Sequence, residues 1–410
     1  MNDPEFPAPD LDVRTTRIDH VSPLLTSVDA RSPLIFVRGN EGIAGIGEAV
    51  RLTFTGPTRM VDAAAAWRDL ASRATVADDV RLPGTGLVAF GSFAFDDESA
   101  AESVLIVPRI VVGRRDGVAW ITRVDGAELP DGHAAGASFR VPLVPGELDE
   151  TGYAGIVASA VESITVGDVS KIVLARTLVG RLPVEADLRL VARTLQGGYP
   201  DCFTFAVDGL IGASPETLVK TERGVVSARV LAGSASRGVD AISDEDAALA
   251  LATSSKDLDE HAFALRSLLL SLGPHATDIV TGEQPFTLKL PNLWHLASDV
   301  RGRLTDGSSS LDLIASLHPT AAVAGTPTEA ALDLIRRLEP FDRGRYAGPV
   351  GWVGADGDGE WAIALRCAHV APDGTVTAYA GAGVVADSVP EREAAETGMK
   401  FQPVVQAFGA

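Results

Sequence analysis

The sequence of 410 residues is poor in cysteine and in basic side chains, and each shortage excludes a class of protein. Cys202 and Cys367 are its only cysteines, too few for a disulfide framework or a zinc ribbon. Its 35 lysines and arginines are outnumbered by 55 aspartates and glutamates, which gives a formal net charge of −20. Because no basic stripe can neutralise phosphates, we expect neither nucleic acid nor an anionic membrane surface as a partner.

Long apolar runs are missing as well. None approaches the roughly 20 residues that a membrane-spanning helix needs. Residues 1–10 (MNDPEFPAPD) are acidic and rich in proline, unlike the basic and then apolar start of a signal peptide. These features predict a cytoplasmic protein. The apolar fraction of 46% is enough for a large core, and the 41 glycines suit a chain that mixes strands and helices.

The sequence pattern divides the chain into two portions. Residues 1–145 hold short apolar runs separated by turn residues, with one predicted helix at 58–74, and we interpret them as a β-rich portion packed on the core. Residues 150–408 form the predicted catalytic region, joined to the first portion by a connection at 141–150. In this region we expect helices at 153–167, 244–272, 310–317, 327–338 and 389–407, and strands at 203–208, 216–221, 226–232, 349–354, 361–370 and 375–380. The pattern predicts an α/β (α+β) fold.

Lys171 opens an apolar run, DVSKIVLAR, that has the pattern of a buried strand. The side chains of Lys171, Val173 and Ala175 alternate along this strand and share one face. A lysine that faces inward is costly unless it is paired or neutral. The alternative is an edge position whose stem lies along the apolar surface while the ammonium reaches water.

Two pairs of acidic residues stand three positions apart in predicted helices, Asp257 with Glu260 and Glu393 with Glu396. Residues at this spacing are neighbours on one helix face, where like charges repel. Acids in a first turn also favour the helix dipole, so the spacing alone permits a structural role. Two such pairs in one chain suggest a shared cation, and carboxylate oxygens suit Mg²⁺. Lys400 follows Glu396 by one turn.

Capping signals precede both acidic pairs. Ser254 stands three residues before Asp257, and Ser388 stands three residues before Glu391. We expect Ser254 to cap its helix, and Ser388 and Glu391 to form a capping box. Glu391 is therefore assigned to capping rather than to the cation.

Glu216 follows Ser214 and a proline and enters the apolar run TLV. An isolated carboxyl in such surroundings has a raised pKa and can act as an acid. The alternative is an edge-strand glutamate that faces solvent. Further along, Gly233 and Ser234 form a turn whose backbone N–H groups could hold an anion, although most turns of this kind are only turns.

Arg366 stands in the predicted apolar strand at 361–370. An inward guanidinium usually recognises a carboxylate or phosphate, and the alternative is an internal ion pair. Gly381, in YAGAGVV, allows a ligand to approach the backbone closely. Three histidines, His261, His295 and His318, are expected to have structural or orienting roles, since no pattern links them to a metal or a nucleophile.

Several of these segments together resemble the chorismate-utilising enzymes, a group that includes anthranilate synthase component I, aminodeoxychorismate synthase, isochorismate synthase and salicylate synthase. The segments are, in order, KIVLAR, ASPETLV, LAGSASRG, SSKDLDEH, LHPTAAVAGTP, LEPFDRGRYAGPVGW, ALRCA, YAGAGVV and AAETGMK. The resemblance covers about residues 150–408 and is looser in the first third of the chain. It implies a large α/β domain with a β-sheet core surrounded by helices, and it implies Mg²⁺ as cofactor.

Two positions indicate which member of the group the chain resembles. Members that use water carry a lysine at the position of Lys171, whereas members that use ammonia lack it. Members that eliminate pyruvate or use ammonia tend to carry Thr or Ser at the position of Ala322, whereas isochorismate synthases carry Ala and then an apolar residue, here Val323. The resemblance therefore implies isochorismate synthase, an isomerase (hydroxymutase), with Lys171 as the base that activates water and Glu216 as the acid.

The resemblance also implies a ligand set. Glu260 and Glu396 would hold Mg²⁺ directly, and Asp257 and Glu393 through water. The residues that would contact the substrate chorismate are Gly233, Ser234, His295, Ala322, Val323, Tyr346, Arg366, Gly381 and Lys400. No glutamine amidotransferase subunit is expected, and a monomer is the expected state.

Two other interpretations remain open at this point: a salicylate synthase, which also releases pyruvate, and a non-catalytic chorismate-binding relative. The product of an isochorismate synthase could serve menaquinone or siderophore synthesis. Binding alone requires neither an acid nor a base, which favours the enzymes over the non-catalytic relative.

Overall fold

The computed structural model describes residues 10–19, 23–130, 134–290 and 293–409. The α/β class predicted from the sequence is confirmed, because two large sheets and eight helices make up the described residues. The helices are α1 (Arg59–Arg73), α2 (Glu150–Val166), α3 (Leu188–Gly198), α4 (Ala241–Thr253), α5 (Ser255–Leu272), α6 (Ser310–Leu317), α7 (Thr328–Leu338) and α8 (Pro390–Ala407). A short 3-10 helix lies at Leu24–Thr26. None of these helices is long and apolar enough to cross a membrane.

The strands of the described residues follow the chain from one sheet to the other and back. They are β1 (Asp12–Ile18), β2 (Leu34–Arg38), β3 (Glu41–Ile46), β4 (Val50–Phe54), β5 (Thr75–Asp78), β6 (Val88–Ser92), β7 (Ser103–Val107), β8 (Ile110–Arg115), β9 (Val118–Val124), β10 (Val144–Pro145), β11 (Lys171–Arg181), β12 (Phe203–Val207), β13 (Leu210–Ser214), β14 (Thr217–Glu222), β15 (Val225–Ser236), β16 (Ala276–Thr281), β17 (Phe286–Lys289), β18 (Leu293–Leu304), β19 (Gly325–Thr326), β20 (Pro349–Gly354), β21 (Gly359–Ile363), β22 (Cys367–Val370) and β23 (Thr375–Val384).

Each sheet combines strands from the beginning and the end of the chain. The first sheet has 13 strands in the order β10-β11-β23-β22-β13-β12-β2-β3-β8-β9-β1-β5, with β19 paired to β11. The second has 10 strands in the order β16-β18-β15-β14-β21-β20-β6-β7-β4, with β17 paired to β18. The pairs β12–β2 and β20–β6 therefore join residues before position 145 to residues after 150 by antiparallel ladders.

Alternating side chains of the first sheet pack into two different cores. Phe36 and Phe205 point into a large core that also contains Phe90 and Trp361 of the second sheet. Ile35, one position from Phe36, points the other way into a second core that α3 and α8 cover. This alternation follows from the two-residue period of a strand, and it explains why the strands have apolar residues on both faces.

Three details of the predicted secondary structure were wrong. The helix predicted at 244–272 is two helices, because Ser254 has an extended backbone and its hydroxyl accepts the N–H of Asp257 to begin α5. The predicted capping box of Ser388 and Glu391 is absent. The hydroxyl of Ser388 instead accepts the N–H of Val385 at 3.1 Å, and α8 begins at Pro390 with no side-chain cap.

The strand predicted at 361–370 is the third correction. It is interrupted at 364–366, where the chain leaves β21 of the second sheet and enters β22 of the first. Arg366 has a φ of 50° at this junction, in the left-handed region. Arg366 therefore does not lie within a strand, because a regular strand cannot join two different sheets without such a bend.

A buried ion pair links the segment after α7 to strand β11. The guanidinium of Arg343 donates to both carboxylate oxygens of Glu339, at 2.8 and 2.6 Å, and to the carbonyl oxygens of Val323 and Val173. Glu339 also accepts the backbone N–H of Ala175 at 2.7 Å. The side chains of the pair are 1% and 3% exposed, so neither charge has water as an alternative partner.

The first prediction concerns Glu339. Replacing it by alanine leaves the buried guanidinium of Arg343 without its carboxylate partner and the N–H of Ala175 without its acceptor. Breaking a buried pair in this way costs about 3–5 kcal/mol, so we expect the Glu339→Ala variant to unfold at clearly lower urea concentration than the unmodified protein. Glu329→Ala, in the exposed first turn of α7, is the matched control and should change the midpoint little. Equal midpoints for the two variants would contradict the role given to the pair.

Candidate active site

An open cleft is lined by residues of both sheets and of helices α5 and α8, and it spans about 960 Å³ including its mouth. Every site residue predicted from the sequence lines this one cleft. They are Lys171, Glu216, Gly233, Ser234, Asp257, Glu260, His295, Ala322, Val323, Tyr346, Arg366, Gly381, Glu393, Glu396 and Lys400. Residues that lie far apart in the sequence therefore converge on a single concave surface, as expected of a binding site for a small molecule.

Lys171 is the first residue of β11, and its side chain is only 8% exposed. Its ammonium donates to the Oε1 atom of Glu260 at 2.7 Å. The inward orientation predicted from the strand pattern is confirmed, and the alternative of a stem reaching water is wrong. Gly383 on the neighbouring strand leaves room for this pair, since a Cβ atom there would lie 3.3 Å from Lys171 Cε and 3.5 Å from Glu260 Oε1.

Glu216 lies between β13 and β14 and is buried. Burial raises the pKa of its carboxyl to about 8, although the positive charges of Arg366, Lys171 and Lys400 act in the opposite direction. The burial expected from the sequence is confirmed, and the alternative of a solvent-facing edge position is wrong. A carboxyl that stays protonated near neutral pH can donate a proton, which an ordinary glutamate cannot do under these conditions.

The two acidic pairs line the same cleft from different helices, Asp257 and Glu260 on α5 and Glu393 and Glu396 on α8. The Nζ atom of Lys400 lies 2.6 Å from Glu396 Oε1. The Nζ atom of Lys171 lies at a similar distance, 2.7 Å, from Glu260 Oε1. Burial and the nearby charge of Glu396 raise the pKa of Glu393. Within the described ranges, no three potential ligands converge closely enough to form a metal centre. The oxygen donors and the crowded negative charge nevertheless suit a divalent cation.

His295 lies on β18 and is held by the bulge in β15. Its Nδ1 atom lies 3.0 Å from the hydroxyl of Ser234, while its buried Nε2 atom has no partner among the described residues. Burial, with the positive charge of Arg366, lowers the pKa of His295 to about 3, so the imidazole is neutral. Gly233, in the bulge, has a φ of 84°, and a Cβ atom there would come within 3.1 Å of Asp257.

The other two histidines form hydrogen bonds within the protein. His261 Nε2 lies 2.8 Å from the hydroxyl of Ser298, and His318 Nε2 lies 2.9 Å from the carbonyl oxygen of Phe95. Neither residue lines the cleft. These contacts support the structural roles that the sequence suggested for both.

Arg366 reaches the cleft from the junction between the sheets. In the described part of the chain its guanidinium forms no salt bridge, which removes the alternative of an internal ion pair. Tyr346 lies beside it and stacks on Tyr379 with ring centroids 5.0 Å apart. Burial raises the pKa of the Tyr346 phenol, so the hydroxyl is a neutral donor. A Cβ atom at Gly381 would come within 3.1 Å of that hydroxyl, so glycine keeps this wall open.

The family follows from the comparison of the chain with known proteins. A family model described as "Chorismate binding enzyme" matches residues 12–124 and 137–409. The chain belongs to the chorismate-binding enzyme family. The match includes the first third of the chain, where the sequence motifs had indicated only a loose resemblance.

Similar members of the chorismate-binding family are bacterial proteins. Isochorismate synthase DhbC of Bacillus subtilis is 38% identical over 335 residues, which cover 78% of this chain and 80% of the relative. A putative isochorismate synthase MenF of Mycobacterium tuberculosis is 35% identical over 339 residues, which cover 80% of this chain and 87% of the relative. A crystal structure of putative isochorismate synthase DhbC from Bacillus anthracis has a TM-score of 0.78 at 33% identity, covering 94% of this chain and 98% of that one.

Two cations of the cleft, Lys256 and Arg343, were missed from the sequence. Lys256 adjoins Asp257 in SSKDLDEH. It was not predicted because the acidic residues of this segment are its more evident feature. Arg343 stands two residues from Arg345 in DRGRY, and spacing could not distinguish the buried arginine from its neighbour. Arg345 instead binds Asp208 at 2.7 Å, away from the cleft.

The second prediction is that Glu216 titrates near pH 8. Because burial disfavours the charged form, the carboxyl should be protonated below this pH and lose its proton as the pH rises through it. Infrared difference spectra between pH 6 and pH 10 should show loss of one protonated carboxyl band, absent in Glu216→Gln. The control is Glu222→Gln, because the pKa of the Glu222 carboxyl is lowered and this group does not titrate in the same range. This variant should show the same loss of the band as the unmodified protein. A band that survives in Glu216→Gln would assign the titration to another group.

Proposed function

We propose that the chain is an isochorismate synthase, which adds water to C2 of chorismate and removes the hydroxyl from C4. The observation that carries the proposal is the presence in one cleft of Lys171, Arg366 and the buried Glu216, whose pKa burial raises to about 8. A base for water and an acid for the leaving hydroxyl are the two groups that this exchange needs. Relatives named isochorismate synthase, at 31–38% identity over most of the chain, support it.

In the proposed reaction Lys171 acts on the water that attacks the ring, and Glu216 acts on the hydroxyl that leaves it. Lys171 first gives one ammonium proton to solvent as its bond to Glu260 breaks. Its neutral Nζ atom then accepts a proton from water, whose oxygen forms a bond to C2. The two ring double bonds shift, and the bond between C4 and its hydroxyl breaks. Glu216 gives its proton to that hydroxyl, which departs as water. One water enters and one leaves, so the reaction is an isomerisation.

The substrate carries two carboxylates, and the protein has a net charge of −20, so local cations must hold it. We assign the enolpyruvyl carboxylate to Arg366 and the Tyr346 hydroxyl, which lie together in the cleft. Arg366 can donate two parallel hydrogen bonds to a carboxylate. The remaining contacts are assigned to Gly233, Ser234, His295, Val323, Gly381 and Lys400.

Mg²⁺ is the proposed cofactor, and its ligands would be Glu260 and Glu396, with Asp257 and Glu393 acting through water. When bound, the ion would supply positive charge for the ring carboxylate of the substrate. Glu260 and Glu396 would then exchange their present lysine partners, Lys171 and Lys400, for the cation.

Ala322 separates the proposed activity from that of a salicylate synthase. It lies in the cleft, and its methyl group can neither donate nor accept a hydrogen bond. A hydroxyl at this position accompanies pyruvate elimination in the related enzymes. We therefore propose that the reaction stops at isochorismate.

The cellular setting is part of the same proposal. A cytoplasmic monomer without an amidotransferase subunit suffices for a reaction that uses water. A similar solved structure, 33% identical, is that of a putative 2,3-dihydroxybenzoate-specific isochorismate synthase. The proposed product is compatible with siderophore or menaquinone synthesis.

The third prediction tests the reaction and its base. With chorismate and Mg²⁺, the unmodified protein should form isochorismate, resolved by chromatography, with little pyruvate in a lactate-dehydrogenase assay. Lys171→Ala should lower the rate by about 100-fold or more, because the base is lost. Lys220→Ala, on β14 outside the cleft, should keep the rate. Stoichiometric pyruvate would identify a salicylate synthase, and absence of turnover would identify a binding protein.

The fourth prediction tests the cation. Calorimetric titration of the substrate-free protein with MgCl₂ should show one binding event, which Glu396→Gln weakens by about 10-fold or more because a direct oxygen ligand is lost. Glu391→Gln, on the exposed side of the same helix, is the matched control. If both variants bind as the unmodified protein does, or if turnover continues in EDTA, the metal assignment fails.

A further inference from the structure

Glu216 lies in the wall between two cavities. On one side it lines the cleft, and on the other it lines a smaller cavity, about 290 Å³ including the open space at its mouth, that shares Ala322 with the cleft. We call the smaller space the rear cavity. Its lining includes Glu216, Thr217, Arg229, Ala264, Thr320 and Ala322.

Thr320, which lines the rear cavity, carries an unsatisfied polar group. Its Oγ1 atom is buried and has no hydrogen-bond partner among the described residues. A buried hydroxyl without a partner is costly, and such groups in proteins are commonly satisfied by an internal water. Glu216 and Thr320 both line this cavity, and most of its other lining residues, among them Leu218, Val230 and Leu268, are apolar.

The rear cavity also approaches the surface. Thr217 and Arg229 line it and are half-buried rather than buried. The guanidinium of Arg229 forms hydrogen bonds with Asp299, at 2.6 and 3.0 Å, and the Asp299 side chain is 58% exposed. The rear cavity therefore borders the protein surface at these two residues, apart from the cleft, and this border is the candidate route to solvent.

The proposed reaction creates a need for such a route. Each turnover leaves Glu216 without its proton and Lys171 with an extra one. Product bound in the cleft would cover that side of Glu216, and the positive charges that act on its carboxyl are those of Arg366, Lys171 and Lys400, which also line the cleft. Direct return of the proton through the cleft must wait for the product to leave.

We propose that Thr320 is a positioning residue that holds a water in the rear cavity, and that Glu216 regains its proton from solvent through this water. The inference rests on the proposed function. In each cycle a hydronium ion from solvent passes one proton along the water to the Glu216 carboxylate, which becomes a carboxyl. Lys171 separately releases its extra proton to solvent, so charge and protons balance.

The test is a rapid-quench time course of isochorismate formation from chorismate and Mg²⁺. In Thr320→Val, which keeps the shape but removes the hydroxyl, the first turnover should proceed normally because Glu216 starts protonated. The time course should then show a burst of about one product per active site and a later rate lowered by about 10-fold or more. Thr320→Ser, which keeps the hydroxyl, should restore a linear course.

A second variant keeps the inference testable if Thr320→Val does not fold. Ala264→Val adds two methyl groups on the α5 side of the rear cavity and should displace the water, giving the same burst. Ala262→Val, on the exposed side of α5, makes the same chemical change away from the cavity and should stay linear.

The outcomes separate the two hypotheses. Linear time courses in Thr320→Val and Ala264→Val, or a burst in Thr320→Val alone, overturn the rear route and leave the proposed function intact. Absence of isochorismate from the unmodified protein overturns the proposed function and this inference with it.

Discussion

The buried pair of Glu339 and Arg343 fixes the two segments that form the floor of the cleft. One carboxylate oxygen of Glu339 holds the N–H of Ala175, and the guanidinium of Arg343 holds the carbonyl oxygens of Val173 and Val323. The strand that carries Lys171 and the loop that carries Ala322 are therefore tied to one charged group. The hydrogen bonds of this buried pair are all formed only when the two segments have this one arrangement. The pair therefore fixes the positions of the segments more than it adds to the net free energy of folding.

Charge is distributed in the cleft so that the proposed acid and base receive different environments. Lys171 and Lys400 each have a carboxylate partner, whereas Glu216 faces cations but has no direct salt bridge within the described ranges. Burial outweighs those cations, and the carboxyl stays protonated. Separation of two titratable groups by their surroundings is the general means by which one site supplies an acid and a base at the same pH.

Local patterns in the sequence were sufficient where the relevant physics is local. The two-residue period placed Lys171 inward, and the three-residue spacing placed each acidic pair on one helix face. Arg366 was misassigned because an apolar run looks the same whether it stays in one sheet or crosses to another. Ser254 was recognised as a cap, yet the alanine- and leucine-rich residues before it concealed the end of α4. Burial of Arg343 depends on Glu339 and on distant carbonyl groups, which no short window contains.

The ladders between early and late strands have a consequence for synthesis of the chain. Strand β6 emerges from the ribosome long before β20, with which it pairs through Val350 and Ser92. Until then β6 has only β7 beside it, and its other edge can pair with any available strand. Pairing over such a long sequence separation slows folding and prolongs the exposure of apolar surface. The nascent chain should therefore depend on chaperones until translation is nearly complete.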